Sequence, residues 1–286
     1  MTAARSDDEA HPLSVSPEEE RKIEEATSIA AIVVHEAVRK EGEAELGRPS
    51  SALAWSGLAA GLSMGFSLVG EGILHAHLPD LPWRPLIGKF GYTIGFLIVI
   101  LGRQQLFTEN TLTVILPLLY RRDRSTLFNV IRLWTIVLLA NLLGVWLFTL
   151  GLREPVFDPH VLQSFATIGH EAMAPGTSAI FFKGIFGGWL IALMVWLLPG
   201  ADSSRVAIII IITYLVGLGK MSHIICGSAE TLYLVTTGAL PFVEYLTHYM
   251  LPTLAGNVVG GVALVAALNH AQVISGKRKG GNGNNK

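Results

Sequence analysis

Along this chain, long apolar runs alternate with short polar stretches. Residues 51–74, 127–150, 179–198 and 251–271 are each long enough to cross a bilayer as a helix, which takes about 20 predominantly apolar residues. Two further runs, 88–102 and 206–218, are short. Each meets polar residues and then resumes as a second apolar piece, 111–120 and 231–240. The pattern predicts an all-α membrane protein with six crossings, the second and fifth interrupted near 103–110 and 219–228.

The amino-terminal fifty residues follow another pattern. Residues 1–15 are polar and expected to be disordered, and Asp7, Asp8 and Glu9 stand where a signal peptide would be basic. Ser16 suits a helix N-cap, Pro17 the first turn, and Glu18 to Glu20 the positive end of the helix dipole. Ile23, Ala26, Ala30, Val33, Val34, Ala37 and Val38 then recur at helical spacing. This predicts an amphipathic helix ended by Gly42 and by Gly47-Arg48-Pro49. It lies either on the cytoplasmic face or a neighbouring subunit, or stands free as a solvated stalk. From Gly276 the chain ends in a polar tail with Lys277, Arg278 and Lys279, also expected to be disordered. Three regions result: 1–50 with its amphipathic helix, a transmembrane domain at 51–275, and a basic tail at 276–286.

Composition narrows the class. Of 286 residues, 51% are hydrophobic and 15% charged, against roughly 25% charged in a soluble domain. A net charge of −1 provides no field to attract nucleic acid. The single cysteine, Cys226, rules out an intrachain disulfide. With the amino terminus inside, the inner flanks carry Arg39, Lys40, Arg48, Arg121, Arg122, Arg124, Arg132, Arg205, Lys277, Arg278 and Lys279, and the outer flanks only Arg84, Lys89 and Arg153. By the positive-inside rule both termini are cytoplasmic, in a bacterial-type inner membrane.

An internal repeat is the most informative feature. Ala140-Asn141-Leu142-Leu143-Gly144 in the third crossing and Gly256-Asn257-Val258-Val259-Gly260 in the sixth share the order small-Asn-apolar-apolar-Gly, suited to close helix packing bridged by an amide. Thr108 lies 33 residues before Asn141, and His223 lies 34 before Asn257. Both fall in the interrupted segments. Two three-helix repeats, roughly 51–150 and 179–271, follow, and three crossings each force them into opposite orientations. Inverted repeats with paired broken helices point to a transport site near the midplane.

These residues carry a resemblance. Gly102-Arg103-Gln104-Gln105-Leu106-Phe107-Thr108 resembles the second-helix loop of the formate/nitrite transporter family, commonly Gly-Ala-Glu-Leu-Phe-Thr. His223 after its Gly-rich break resembles that family's pore histidine. Asn141 and the run Leu251 to Gly261 resemble its third and sixth helices. The resemblance implies an aquaporin-like fold, a homopentamer with one pore per protomer, and passage of small monovalent anions or their weak acids, possibly with a proton. Aquaporins themselves are disfavoured, since neither break carries Asn-Pro-Ala. The chain departs from the family at four places: Ser222 replaces the acid before the histidine, Gly227 the asparagine four residues on, and Gln105 the acid before Leu-Phe-Thr. Glu171, Ala172 and Met173 fall where the family has an outer lysine.

Pore chemistry then centres on His223 and Thr108, with Ser222 and Gly227 beside the histidine. A broken helix leaves backbone groups that need partners, and Thr108 can supply one or bond to His223 across the pore. Leu106 and Phe107 would form an apolar constriction that penalises a bare ion more than a neutral acid, with His223 handling the proton. A purely structural histidine and a purely backbone-satisfying threonine are the alternatives. Arg103 and Lys220 are nearly equivalent under the repeat. They either pair with Glu71, Glu109 or Glu230, or concentrate anions at the two mouths. No cofactor or metal is expected: His35-Glu36 has no second histidine four residues on, and His75 and His77 read as surface histidines of a Pro-rich outer loop. The rival functions are a non-transporting scaffold with an occluded pore and, far behind, an intramembrane hydrolase using Ser228 with His223.

Overall fold

The computed structural model describes residues 16–18 and 31–272. The expected disordered ends and the first half of the amphipathic helix lie outside these residues. The described helices are α1 (Ala31–Leu46), α2 (Ser50–His77), α3 (Arg84–Leu101), α4 (Phe107–Thr113), α5 (Ile115–Arg121), α6 (Arg124–Thr149), α7 (Pro159–Met173), α8 (Thr177–Leu197), α9 (Arg205–Leu218), α10 (Cys226–Thr236) and α11 (Phe242–Gln272). α11 contains two wide-turn π stretches, Tyr245–Met250 and Val259–Ala267. α2, α3, α6, α8 and α11 are each long and apolar enough to cross a membrane. α9 is apolar but shorter, at 14 residues, and is continued beyond its break by α10, as α3 is by α4.

The interruptions run over 102–106 and 219–225, so Thr108 sits in the first turn of α4 rather than in the break. α1 corrects a second expectation: it continues through Gly42 to Leu46. Gly42 is needed for closeness instead, since a Cβ there would strike the Thr113 carbonyl.

Both breaks are built alike. α3 and α9 end on Gly102 and Gly219, and the next residue, Arg103 or Lys220, takes a left-handed conformation with φ of 49° and 48°. Gln104 N–H then bonds back to Val99 O and Met221 N–H to Val216 O, each at 3.0 Å, the reversal that closes a helix carboxy terminus. Glycine usually takes that left-handed place, because other L residues pay about 1–2 kcal/mol there. Here both repeats put a cation in it.

Asparagines seal what the breaks leave open. Asn141 Oδ1 accepts from Phe107 N–H at 2.9 Å, while its Nδ2 donates to Gly57 O at 2.7 Å and Gln105 O at 2.8 Å. Asn257 repeats the pattern with Ile224 N–H at 2.8 Å, Gly184 O at 2.8 Å and Ser222 O at 2.9 Å. These bonds fix the equivalence of the repeats: Phe107 with Ile224, Leu106 with His223, Gln105 with Ser222, Arg103 with Lys220. Counting from the asparagines had paired Thr108 with His223. The structure shifts that register, because Phe107 lies 34 residues before its asparagine and Ile224 33 before its own.

The asparagine helices reach the breaks because small residues let backbones touch. α2 packs on α6, and α8 on α11. A Cβ on Gly144 would collide with the Leu58 carbonyl and the Gly61 backbone, and one on Gly260 with the Ile185 carbonyl. The repeats also interlock: α4 of the first packs on α8 and α11, and α10 of the second on α2 and α6.

Replacing Asn257 by leucine orphans the Ile224 N–H and the Ser222 carbonyl at ~1–3 kcal/mol per buried group, while Gly184 O, inside α8, keeps its helical bond. We expect Asn257→Leu to lower the thermal unfolding temperature of the detergent-purified protein sharply. Gly88→Ala, where a Cβ meets nothing within 4 Å, should leave it unchanged. Equal unfolding temperatures for Asn257→Leu and parent would refute the sealing role.

Candidate functional site

Where the two breaks meet, His223 Nε2 and Thr108 Oγ1 lie 2.9 Å apart, both essentially buried. The other ring nitrogen, Nδ1, accepts from Cys226 N–H at 3.1 Å. A neutral imidazole with Nδ1 accepting carries its hydrogen on Nε2, so that nitrogen donates to Thr108 Oγ1. The Thr108 hydroxyl hydrogen is then left to offer to a third group. Phe96 stands edge-to-face on the imidazole at 5.0 Å.

The other sequence-derived residues distribute around this pair. Leu106 is fully buried and Phe107 nearly so, but the Phe107 ring packs on Trp134 at 5.7 Å; Phe96 is the aromatic that touches His223. Ser222 lines a cavity on one side, and its carbonyl is held by Asn257. Gly227 N–H bonds to His223 O at 2.9 Å, and any Cβ there would run into the Tyr249 hydroxyl. Ser228 bonds to Ile224 O and, at 2.9 Å, to Tyr245 Oη, not to His223, which removes the hydrolase geometry.

Cavities approach the pair from both ends. On the α1 side a cavity of about 530 Å³ is lined by Glu41, Glu45, Arg48, Arg103, Gln104, Gln105, Glu109, Thr113 and Arg205. On the α7 side, narrower spaces are lined by Lys89, Tyr92, Glu171, Lys183, Lys220, Ser222, Glu230 and Tyr249. Gln105 and Ser222, twins under the repeat, face the opposite cavities. The next residue on each break, Leu106 and His223, is buried.

The charges pair differently from expectation. Lys220 Nζ bonds to Glu171 Oε2 at 2.7 Å, not to Glu230 or Glu109. Glu71 pairs instead with Lys89, a buried contact. Arg103 makes no ion pair among the described residues, and Glu109 and Glu230 line opposite cavities without one. Lys89 and Arg205 had registered in the sequence only as flanking positive charges, and α1's Glu41 and Glu45 not at all. Nothing local marks these as vestibule residues. Glu41 is raised above the ordinary carboxylate range by burial and by its neighbour Glu45. His75 bonds to Ser164 at 3.2 Å near the end of α2, while His35 bonds to His270 at 3.1 Å. Neither belongs to a metal-binding cluster among the described residues.

Two broken helices in inverted repeats, cavities on both sides and a buried hydroxyl–imidazole pair between them define a membrane transport protein with a central pore. The chain belongs to the formate/nitrite transporter family, whose model matches residues 32–271. It is 43% identical over 282 residues to the inner membrane protein YfdC of Escherichia coli (strain K12), covering 95% of this chain and 90% of that one. Its fold matches two solved structures. One is a pentameric formate channel with formate bound, at TM-score 0.64 and 20% identity, covering 82% of this chain and 99% of that chain. The other is an ion channel of the same family, at TM-score 0.67 and 18% identity, covering 85% and 96%.

Burial alone would raise the Glu171 carboxyl, but the hydrogen bond and charge of Lys220 more than offset this and hold it below its ordinary range. A depressed carboxylate contributes stability above its unfolded pKa of about 4.3 and loses it as pH falls through the folded value. The difference in unfolding temperature between parent and Glu171→Gln should therefore be constant from pH 8 to about 5 and vanish at lower pH. A difference that grows on acidification would contradict the pairing.

Proposed function

We propose that the chain forms a channel or carrier for small monovalent anions or their weak acids, with one pore in each protomer and Thr108 and His223 at its centre. The observation that carries this reading is the buried Thr108–His223 bond between two cavities. Because Nε2–H donates to Thr108 Oγ1, it polarises the hydroxyl, whose own hydrogen serves as donor to a carboxylate or similar oxyanion. The surrounding Leu106 and Phe96 exclude water, so a bare ion is penalised and a proton-accompanied acid much less. Metal and cofactor have no part in this scheme.

The α1 side is assigned to the cytoplasm, since α1 and the arginine-rich segments Arg121, Arg122, Arg124 and Arg205 lie there by the positive-inside rule. Assembly as a pentamer is proposed from the likeness to the pentameric formate channel. The fully buried central layer favours one rival, a membrane scaffold whose pore stays occluded.

Uptake into proteoliposomes of a panel of small weak acids, formate among them, at two pH values separates these. At least one is expected to move, faster at the lower pH. Thr108→Val removes the hydroxyl donor and leaves Nε2–H without its acceptor, at ~1–3 kcal/mol. We expect roughly tenfold or greater loss of flux in a variant that still folds. Flux of none of the acids by the parent at either pH would establish the scaffold reading, and unchanged flux in Thr108→Val would remove the hydroxyl from the mechanism.

A further inference from the structure

Arg103 and Lys220 occupy the same place in the two repeats, with the same left-handed backbone, one facing each mouth. Their surroundings differ. Arg103 makes no ion pair among the described residues, whereas Lys220 is held by Glu171, which projects from the last turn of α7. The two side chains of this pair are 52% and 45% exposed, so the contact sits in the open mouth where an arriving solute would meet it. The other charges at this mouth leave Lys220 as the accessible cation nearest the break. Lys89 is committed to Glu71 with its side chain only 11% exposed, Glu230 is buried, and Arg84 is paired with Asp80. Lys183 lines the same space from α8.

A glutamate side chain presents the same group as a small carboxylate solute, but tethered. We infer that Glu171 is a built-in competitor for Lys220, a positioning residue that occupies the lysine an anion would otherwise find and so weakens anion binding at the α7-side mouth. This rests on the anion reading above. The twin at the other end makes no direct ion pair: Glu41, Glu45 and Glu109 share the cavity of Arg103 with Arg48 and Arg205, and Glu41 acts on Arg103 only through space, so the two mouths differ although the backbone beneath them is the same. A half-exposed pair is a modest competitor, equivalent to about a two- to fivefold change in apparent affinity, and one that salt screens.

The test is sided uptake of radiolabelled formate in proteoliposomes of known orientation, comparing the parent with Glu171→Gln, Glu171→Asp and the Glu171→Gln/Lys220→Met double variant. Expected are a half-saturating concentration lowered about two- to fivefold on the α7 side in Glu171→Gln and no change on the α1 side. The gain should shrink in high concentrations of an impermeant salt, be absent in Glu171→Asp, and be lost in the double variant. A change of equal size on both sides, or no change while the parent conducts, overturns the inference.

If the parent carries another of the panel acids but not formate, that acid replaces formate in the sided assay. If it carries none of them, the transport reading fails. The competition is then judged on detergent-purified protein by the formate concentration that raises its unfolding temperature. A lower requirement in Glu171→Gln sustains the competitor role, and an unchanged requirement overturns it.

Discussion

Everything in this fold depends on satisfying backbone groups where a helix is broken inside a membrane. In hydrocarbon an unpaired N–H or C=O costs several kcal/mol, so irregular backbone persists only where it is buried in protein or lines a cavity. Both breaks meet this constraint with one side chain, an asparagine that accepts from an N–H at the far end of the break, Phe107 or Ile224, and donates to two carbonyls. The small residues of α2 and α8 bring the asparagine helices close enough. The left-handed cations turn the chain, and the freed space holds Thr108 and His223. Remove the amide and each later feature loses its footing.

Much of this was readable in the residues. Apolar runs announce bilayer crossings because hydrocarbon tolerates little else, and the polar interruptions gave the breaks to within a few positions. The shared Asn-x-x-Gly order revealed the repeat because one physical task is solved twice. The fine register was not readable, since a one-residue difference in spacing is invisible until the bonds are traced from Phe107 and Ile224.

Ion-pair partners escaped for a related reason. Lys220 meets Glu171, 49 residues away on a helix that does not cross the membrane, while Glu71, Glu109 and Glu230 looked nearer along the chain's symmetry. Nor does Phe107, beside Leu106 and Thr108 in the motif, tell which aromatic ring reaches the imidazole. Phe96, on α3 before the break, has no local signal of that role. Local order shows which groups need partners; three-dimensional packing chooses among the candidates.

The division between bonds made inside a repeat and bonds made across repeats bears on biosynthesis. Each asparagine seal uses only residues of its own half: Gly57, Gln105 and Phe107 with Asn141, and Gly184, Ser222 and Ile224 with Asn257. The Thr108–His223 bond and the packing of α4 on α8 and α11 join one half to the other. As ribosomes deliver the first half to the membrane, its break can close at once, yet α4 has no cover for Thr108 and Thr111, which meet His223 and Gly261, until the later helices arrive. The conduit is therefore a product of docking, and a nascent half-chain would be a sealed but leakless intermediate with a polar seam waiting for its counterpart.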